Sequence, residues 1–157
     1  ALKKPLYVVA TDLLQGREEV FYKGELIRPL LASAALPPIF SPVKIGDRLY
    51  ADGGIMNNFP LEPLAKKADF VIGSNVSVVK TVSERELRSS YQLTGRTTAL
   101  MIYAINREKI SRCDLVFEAM ELETIRVLDK KGIEKAFKIG YDHASRKLEA
   151  ALNQTSS

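Results

Sequence analysis

Residues 32–60 read ASAALPPIFSPVKIGDRLYADGGIMNNFP, and the centre of the stretch is Asp52-Gly53-Gly54. Arg48-Leu49-Tyr50-Ala51 is a short, largely apolar run that reads as a strand carrying one carboxylate at its end. The two glycines that follow allow a turn that side chains would obstruct. An aspartate delivered in this way has the placement of a site residue. Asp-Gly-Gly is also an ordinary turn sequence, because both residue types favour turns for backbone reasons alone. The tripeptide therefore takes its meaning from its surroundings.

Working outward, Val43-Lys44-Ile45 and Arg48-Leu49-Tyr50 flank Gly46-Asp47, which predicts a hairpin whose turn suits positive φ. Before it, residues 25–35 are helical by the spacing of Leu26, Leu30, Leu31 and Ala34, with Pro29 tolerated near the first turn. Pro37 and Pro38 stop that helix, and Phe40 is expected to anchor the connector in the core. After Asp52, Asn57 and Asn58 are expected in a loop beside the turn, capping backbone groups or orienting the carboxylate, with capping the favoured role. A short helix over 61–67 and a buried parallel strand at Phe70-Val71-Ile72-Gly73 follow.

At the start of the chain, residues 5–12 form a near-continuous apolar run that predicts a strand buried on both faces, with 19–22 as its hairpin partner. One partner leaves an edge of such a strand unfilled, so further neighbours are expected from outside residues 1–157. Beyond residue 76 the sequence predicts a surface excursion with a helix near 84–88, then a helix over 97–111 whose Leu100, Met101, Ala104 and Ile105 face a sheet or, alternatively, lipid. A strand at 114–118, a long helix over 133–152 and a fraying tail from Asn153 complete the reading. Strands separated by helices argue for an α/β fold, a layered sheet flanked by helices.

Composition narrows the partners. The chain has 157 residues, 46% apolar and 27% charged, enough for one domain with a core. Its net charge is +4, but the 23 basic residues are interspersed with 19 acidic ones, and Lys66-Lys67 and Lys130-Lys131 are only short pairs. That pattern argues against nucleic acid and leaves room for weak attraction to an anionic lipid surface. With Cys113 the sole cysteine and His143 the sole histidine, neither an intrachain disulfide nor a cysteine-based metal site can be built. Nowhere does the chain carry about eighteen consecutive apolar residues, and it lacks an N-terminal signal pattern; localisation is left open.

The order of the pieces carries more. A small-residue helix end at Ser33-Ala34-Ala35, a Pro-rich connector with Phe40, a strand into Asp52-Gly53-Gly54, then Asn57-Asn58-Phe59-Pro60 and a strand at Phe70-Val71-Ile72-Gly73 together resemble the patatin-like phospholipase family. Ala10-Thr11-Asp12-Leu13 with Gly16 and Cys113-Asp114-Leu115-Val116-Phe117 with Gly140-Tyr141 extend the likeness to both ends. The resemblance implies that Asp52 is the aspartate of a Ser-Asp catalytic dyad. It implies that Gly53 and Gly54 support its turn, that Asn57 and Asn58 are candidates to orient it, and that neither a metal nor an organic cofactor is required. The implied substrate is a lipid or other acyl ester, with peripheral contact to a membrane surface.

One departure matters as much. The family's glycine-rich oxyanion loop and Gly-x-Ser-x-Gly elbow do not occur in these residues, and Ser33, Ser41 and Ser74 lack the flanking glycines that a strained elbow needs. Residues 1–157 are therefore expected to be the C-terminal portion of a single patatin-like catalytic domain. A preceding N-terminal segment would supply the serine and the oxyanion donors, and the chain alone would be inert. The competing reading is a non-catalytic α/β module that binds a lipid or protein partner, with Asp52 as a turn residue. A phosphate site at Gly53-Gly54 is disfavoured, because no Gly-x-Gly-x-x-Gly or Gly-Lys-Ser/Thr pattern accompanies the pair.

Overall fold

The computed structural model describes residues 2–125 and 129–155, grouped into two compact units, Ala1–Lys67 and Ala68–Ser157. Antiparallel and parallel sheets with helices make a mixed α/β structure. No helix among the described residues is long and apolar enough to cross a membrane.

The first unit is built on a four-stranded antiparallel sheet of β1 (Val8–Asp12), β2 (Arg17–Phe21), β3 (Val43–Ile45) and β4 (Arg48–Asp52), in the order β2-β1-β4-β3. The apolar sequence of β1 suits its position, since all five of its residues are buried. Its expected open edge is partly taken from within the chain: β4 pairs antiparallel with Ala10, Thr11 and Asp12, while β2 pairs along the whole strand. The β3-β4 hairpin returns to that edge, and its turn holds Gly46 at φ 60°.

Helix α1 (Ile27–Ser33) packs on β1, β4 and β3, and Ala32 meets Ala10 and Tyr50 in the core with Phe21, Val43 and Ile45 around them. The Phe21 and Tyr50 rings meet edge-on at 5.3 Å between centroids. Burying a ring of this size contributes on the order of 3 kcal/mol. Pro29 is the third helical residue, where a backbone N–H has no intrahelical acceptor to lose.

Three local expectations change. Phe40 does not anchor the connector, for it is 51% exposed. Order there comes from backbone hydrogen bonds, since the N–H groups of Ile39 and Phe40 both donate to the Leu36 carbonyl. Asn57 does not sit in a loop either: the chain turns directly from Asp52 into α2 (Gly54–Asn57). The helix expected over 61–67 contracts to a 3-10 turn at Glu62–Leu64.

The second unit holds a parallel pair, β5 (Ile72–Ser74) beside β6 (Leu115–Phe117), and the helices α3 (Ser90–Ile110) and α4 (Ile133–Thr155). The segment expected to be helical near 84–88 is a 3-10 turn at Glu84–Leu87. Helix α3 begins well before residue 97, because Ser89 and Gln92 form a reciprocal capping box that satisfies the first amides. Helix α4 extends past its expected end at residue 152 to Thr155, and the last two residues of the expected tail, 156–157, lie outside the described residues.

The parallel pairing agrees with the sequence, but the burial does not. Phe70 is 60% and Ile72 54% exposed, because a two-stranded sheet leaves each strand an open edge. Leu100, Met101 and Ile105 of α3 are likewise exposed, so within the second unit that stripe does not pack on the β5-β6 pair among the described residues. Half-buried His143 of α4 accepts a hydrogen bond at Nε2 from the Glu118 amide, 3.3 Å away, just after β6.

Candidate active site

Asp52 closes β4 opposite Ala10, on the sheet face that also carries Tyr50. Its backbone is held from two sides. The Asp52 N–H donates to the Ala35 carbonyl at 3.0 Å, and its carbonyl accepts from the Thr11 hydroxyl at 2.8 Å. The small residues at the end of α1 thus meet the strand end directly, and Ala35 is itself buried.

The half-buried carboxylate accepts the Gly54 N–H through Oδ1 at 2.7 Å, a local Asx-type closure of the turn. Among the described residues, Oδ2 takes no hydrogen bond. The group lines a cavity of about 330 Å³ whose walls include Leu6, Val8, Leu30, Ser33, Asn57 and Asn58.

The glycines are required by space rather than by backbone angle. Gly53 has φ −61°, open to any residue, but a Cβ there would run into the Val9 carbonyl, whose carbon would lie 2.8 Å away. At Gly54 a Cβ would lie 2.6 Å from Asn58 Oδ1 and 2.9 Å from Asp52 Oδ1. A side chain at 53 would push the turn off β1, and one at 54 would displace the carboxylate.

The asparagines divide their work. Asn57 is 5% exposed, and its amide nitrogen donates to Glu18 at 2.7 Å and to Glu62 at 3.0 Å, tying α2 to β2. Asn58 places its amide oxygen over Gly54, against the Asp52 turn. Of the serines, Ser33 lines the cavity with Asp52, but no hydrogen bond joins them among the described residues. Ser41 lies in the connector and Ser74 on β5 in the second unit.

Glu18 and Glu62 are the residues that sequence reasoning missed. The one available signal was the polar start of β2, Arg17-Glu18-Glu19. A second carboxylate, Asp12, is fully buried and stabilises the scaffold. Burial pushes its carboxyl up, but the Gln15 amide, the Arg48 guanidinium at 2.8 Å and the Leu14 amide outweigh this and hold it below the ordinary value. The pair fastens the β1-β2 connection to the start of β4.

Residues 4–65 match the family model of patatin-like phospholipases. This stretch is similar to that family. It contains all four strands of the first sheet and the whole Asp52 turn. An uncharacterized NTE family protein of Mycobacterium tuberculosis is 39% identical over 74 residues, 46% of this chain and 21% of that protein. A second protein of that description from the same organism is 28% identical over 68 residues, 43% of this chain and 12% of the relative. The probable lipid hydrolase of Invertebrate iridescent virus 6 is 28% identical over 146 residues, 85% of this chain and 47% of the viral protein. The chain thus spans less than half the length of these relatives.

Proposed function

We propose that this chain contributes the general base of a lipid acyl hydrolase that works through a Ser-Asp dyad, with Asp52 as the base and the serine supplied by polypeptide outside residues 1–157. On this reading both units belong to one patatin-like catalytic domain, and the isolated chain is inert. The observation that carries the proposal is the carboxylate at the end of β4, with one oxygen fixed by the Gly54 amide and the other taking no hydrogen bond among the described residues, in a cavity. The patatin-like match over residues 4–65 and the lipid hydrolase among the relatives support the substrate class.

In this mechanism the serine Oγ attacks the ester carbonyl carbon as its proton passes to Asp52. Backbone amides from outside this chain hold the tetrahedral oxyanion. Collapse breaks the ester C–O bond, and the leaving alcohol takes the proton from Asp52. Water then attacks the acyl-enzyme, giving its proton to Asp52, and the serine leaves with that proton as the acid is released.

Two substitutions separate the catalytic reading from the turn reading. Asp52→Asn keeps an acceptor for the Gly54 amide but removes the base, so ester hydrolysis by the complete protein should fall at least about a hundredfold with folding intact. Asp52→Ala loses both. Full turnover by a well-folded Asp52→Asn protein rejects the dyad. A fluorophosphonate probe should label the complete protein at a serine outside 1–157 and leave the isolated chain unmodified. Stoichiometric labelling of Ser33 would instead make Ser33 the nucleophile.

A further inference from the structure

A second cavity of the first unit is larger than the one that holds Asp52. A groove of about 720 Å³ runs between the segment leading into β1 and the connection from β2 to α1. Lys3, Lys4 and Lys23 border it, and its one acidic neighbour, Glu25, is paired with Arg28 at 3.7 Å. The cations stand beside apolar and aromatic groups that are open to solvent: Leu2 is 57%, Leu6 40% and Tyr22 60% exposed.

A cation-aromatic strip extends from this groove. Lys23 Nζ lies 5.4 Å from the centroid of the Tyr22 ring, Tyr22 and Tyr7 are 6.2 Å apart, and Lys67 Nζ lies 4.5 Å from the Tyr7 centroid. Leu6 and Val8 line both the groove and the Asp52 cavity, so the two features share a wall.

We infer that this groove and its Lys23-Tyr22-Tyr7-Lys67 strip form a docking surface for an anionic lipid bilayer. Lysine stems lie along apolar surface while their ammonium groups reach outward, and tyrosine rings suit the boundary between headgroups and hydrocarbon. Like-signed charge around an exposed apolar floor matches a surface that presents phosphates above acyl chains. A nucleic acid would use the charge but has no use for Leu2 and Leu6. The choice of lipid over another polyanion rests on the acyl-hydrolase reading, and the shared wall would bring ester bonds beside Asp52.

The test is sedimentation of the complete protein with vesicles of phosphatidylcholine alone, or containing roughly 30% phosphatidylserine to set a negative surface potential. Binding should favour the anionic vesicles and weaken as salt shortens the screening length. Each lysine near such a surface is worth about fivefold in partition, so K3Q/K4Q/K23Q should lose roughly a hundredfold. The charge-matched control K44Q/K130Q/K131Q should lose far less, and the single reversal K23E supplies a second reading with minimal disturbance to the fold.

Equal binding to both vesicle types, equal loss in the control, unchanged binding by the triple variant, or tighter binding to poly(U) RNA than to vesicles would each overturn the assignment. Hydrolysis of a soluble ester, measured in parallel, keeps the two readings apart. Asp52→Asn should cut that hydrolysis at least about a hundredfold yet bind vesicles normally, whereas K3Q/K4Q/K23Q should keep the hydrolysis and lose the binding.

Discussion

In the first unit, β1 is buried along its whole length between two partner strands, and Ala10, Ala32 and Tyr50 close a core above it. In the second unit the helices are three times as long or more, spanning Ser90–Ile110 and Ile133–Thr155, yet Ala119 is the one buried apolar side chain among the described residues there. Tyr91 is 90% and Phe137 72% exposed. Helix length satisfies backbone hydrogen bonds locally, but it buries nothing without a partner surface. Short strands and a seven-residue helix do bury side chains once they are layered. The Asp52 turn lies in the unit where its neighbours are held.

That contrast can be strained first at the glycines. Gly53→Ala forces a methyl group into the Val9 carbonyl, a backbone atom that cannot swing away, and should destabilise the first unit by about 1–3 kcal/mol. Native-state hydrogen exchange should show this as faster exchange of the β1 amides, with α3 and α4 unaffected. Unchanged protection of Val8–Asp12 would mean that the turn is looser than its packing implies.

A smaller effect, confined to acid, should again mark the first unit. The Asp12 carboxyl is held below its ordinary value when folded, so its stabilising contribution is complete above about pH 4 and fades as the pH falls through the lower folded value. Protection of β1 should therefore decline below about pH 4, and Arg48→Met, which removes the guanidinium partner, should flatten that decline. An acid limb of the same steepness in Arg48→Met would assign the loss to other carboxylates.

The smallest effect has the opposite sign and belongs to the second unit. Gly140 lies within α4, and a Cβ there meets nothing within 4 Å. Gly140→Ala should raise helix stability by about 0.5–1 kcal/mol, read as slower amide exchange along α4. Destabilisation would show that this helix face is packed in solution.

What the sequence by itself determined was local. Short apolar runs and turn residues located β1 to β4, Gly46 marked the hairpin, and the run into Asp52-Gly53-Gly54 put a carboxylate at a strand end, because strands and turns are encoded by neighbours a few residues apart. Tertiary structure alone decided which polar groups meet. Asn57 binds Glu18 across 39 positions, Arg48 binds Asp12 across 36, and the need for Gly53 comes from Val9 far upstream. Tertiary structure also decided burial. Phe40, Phe70 and Ile72 are as apolar as β1, but whether such a residue is covered depends on an opposing surface that its own sequence neighbourhood does not contain.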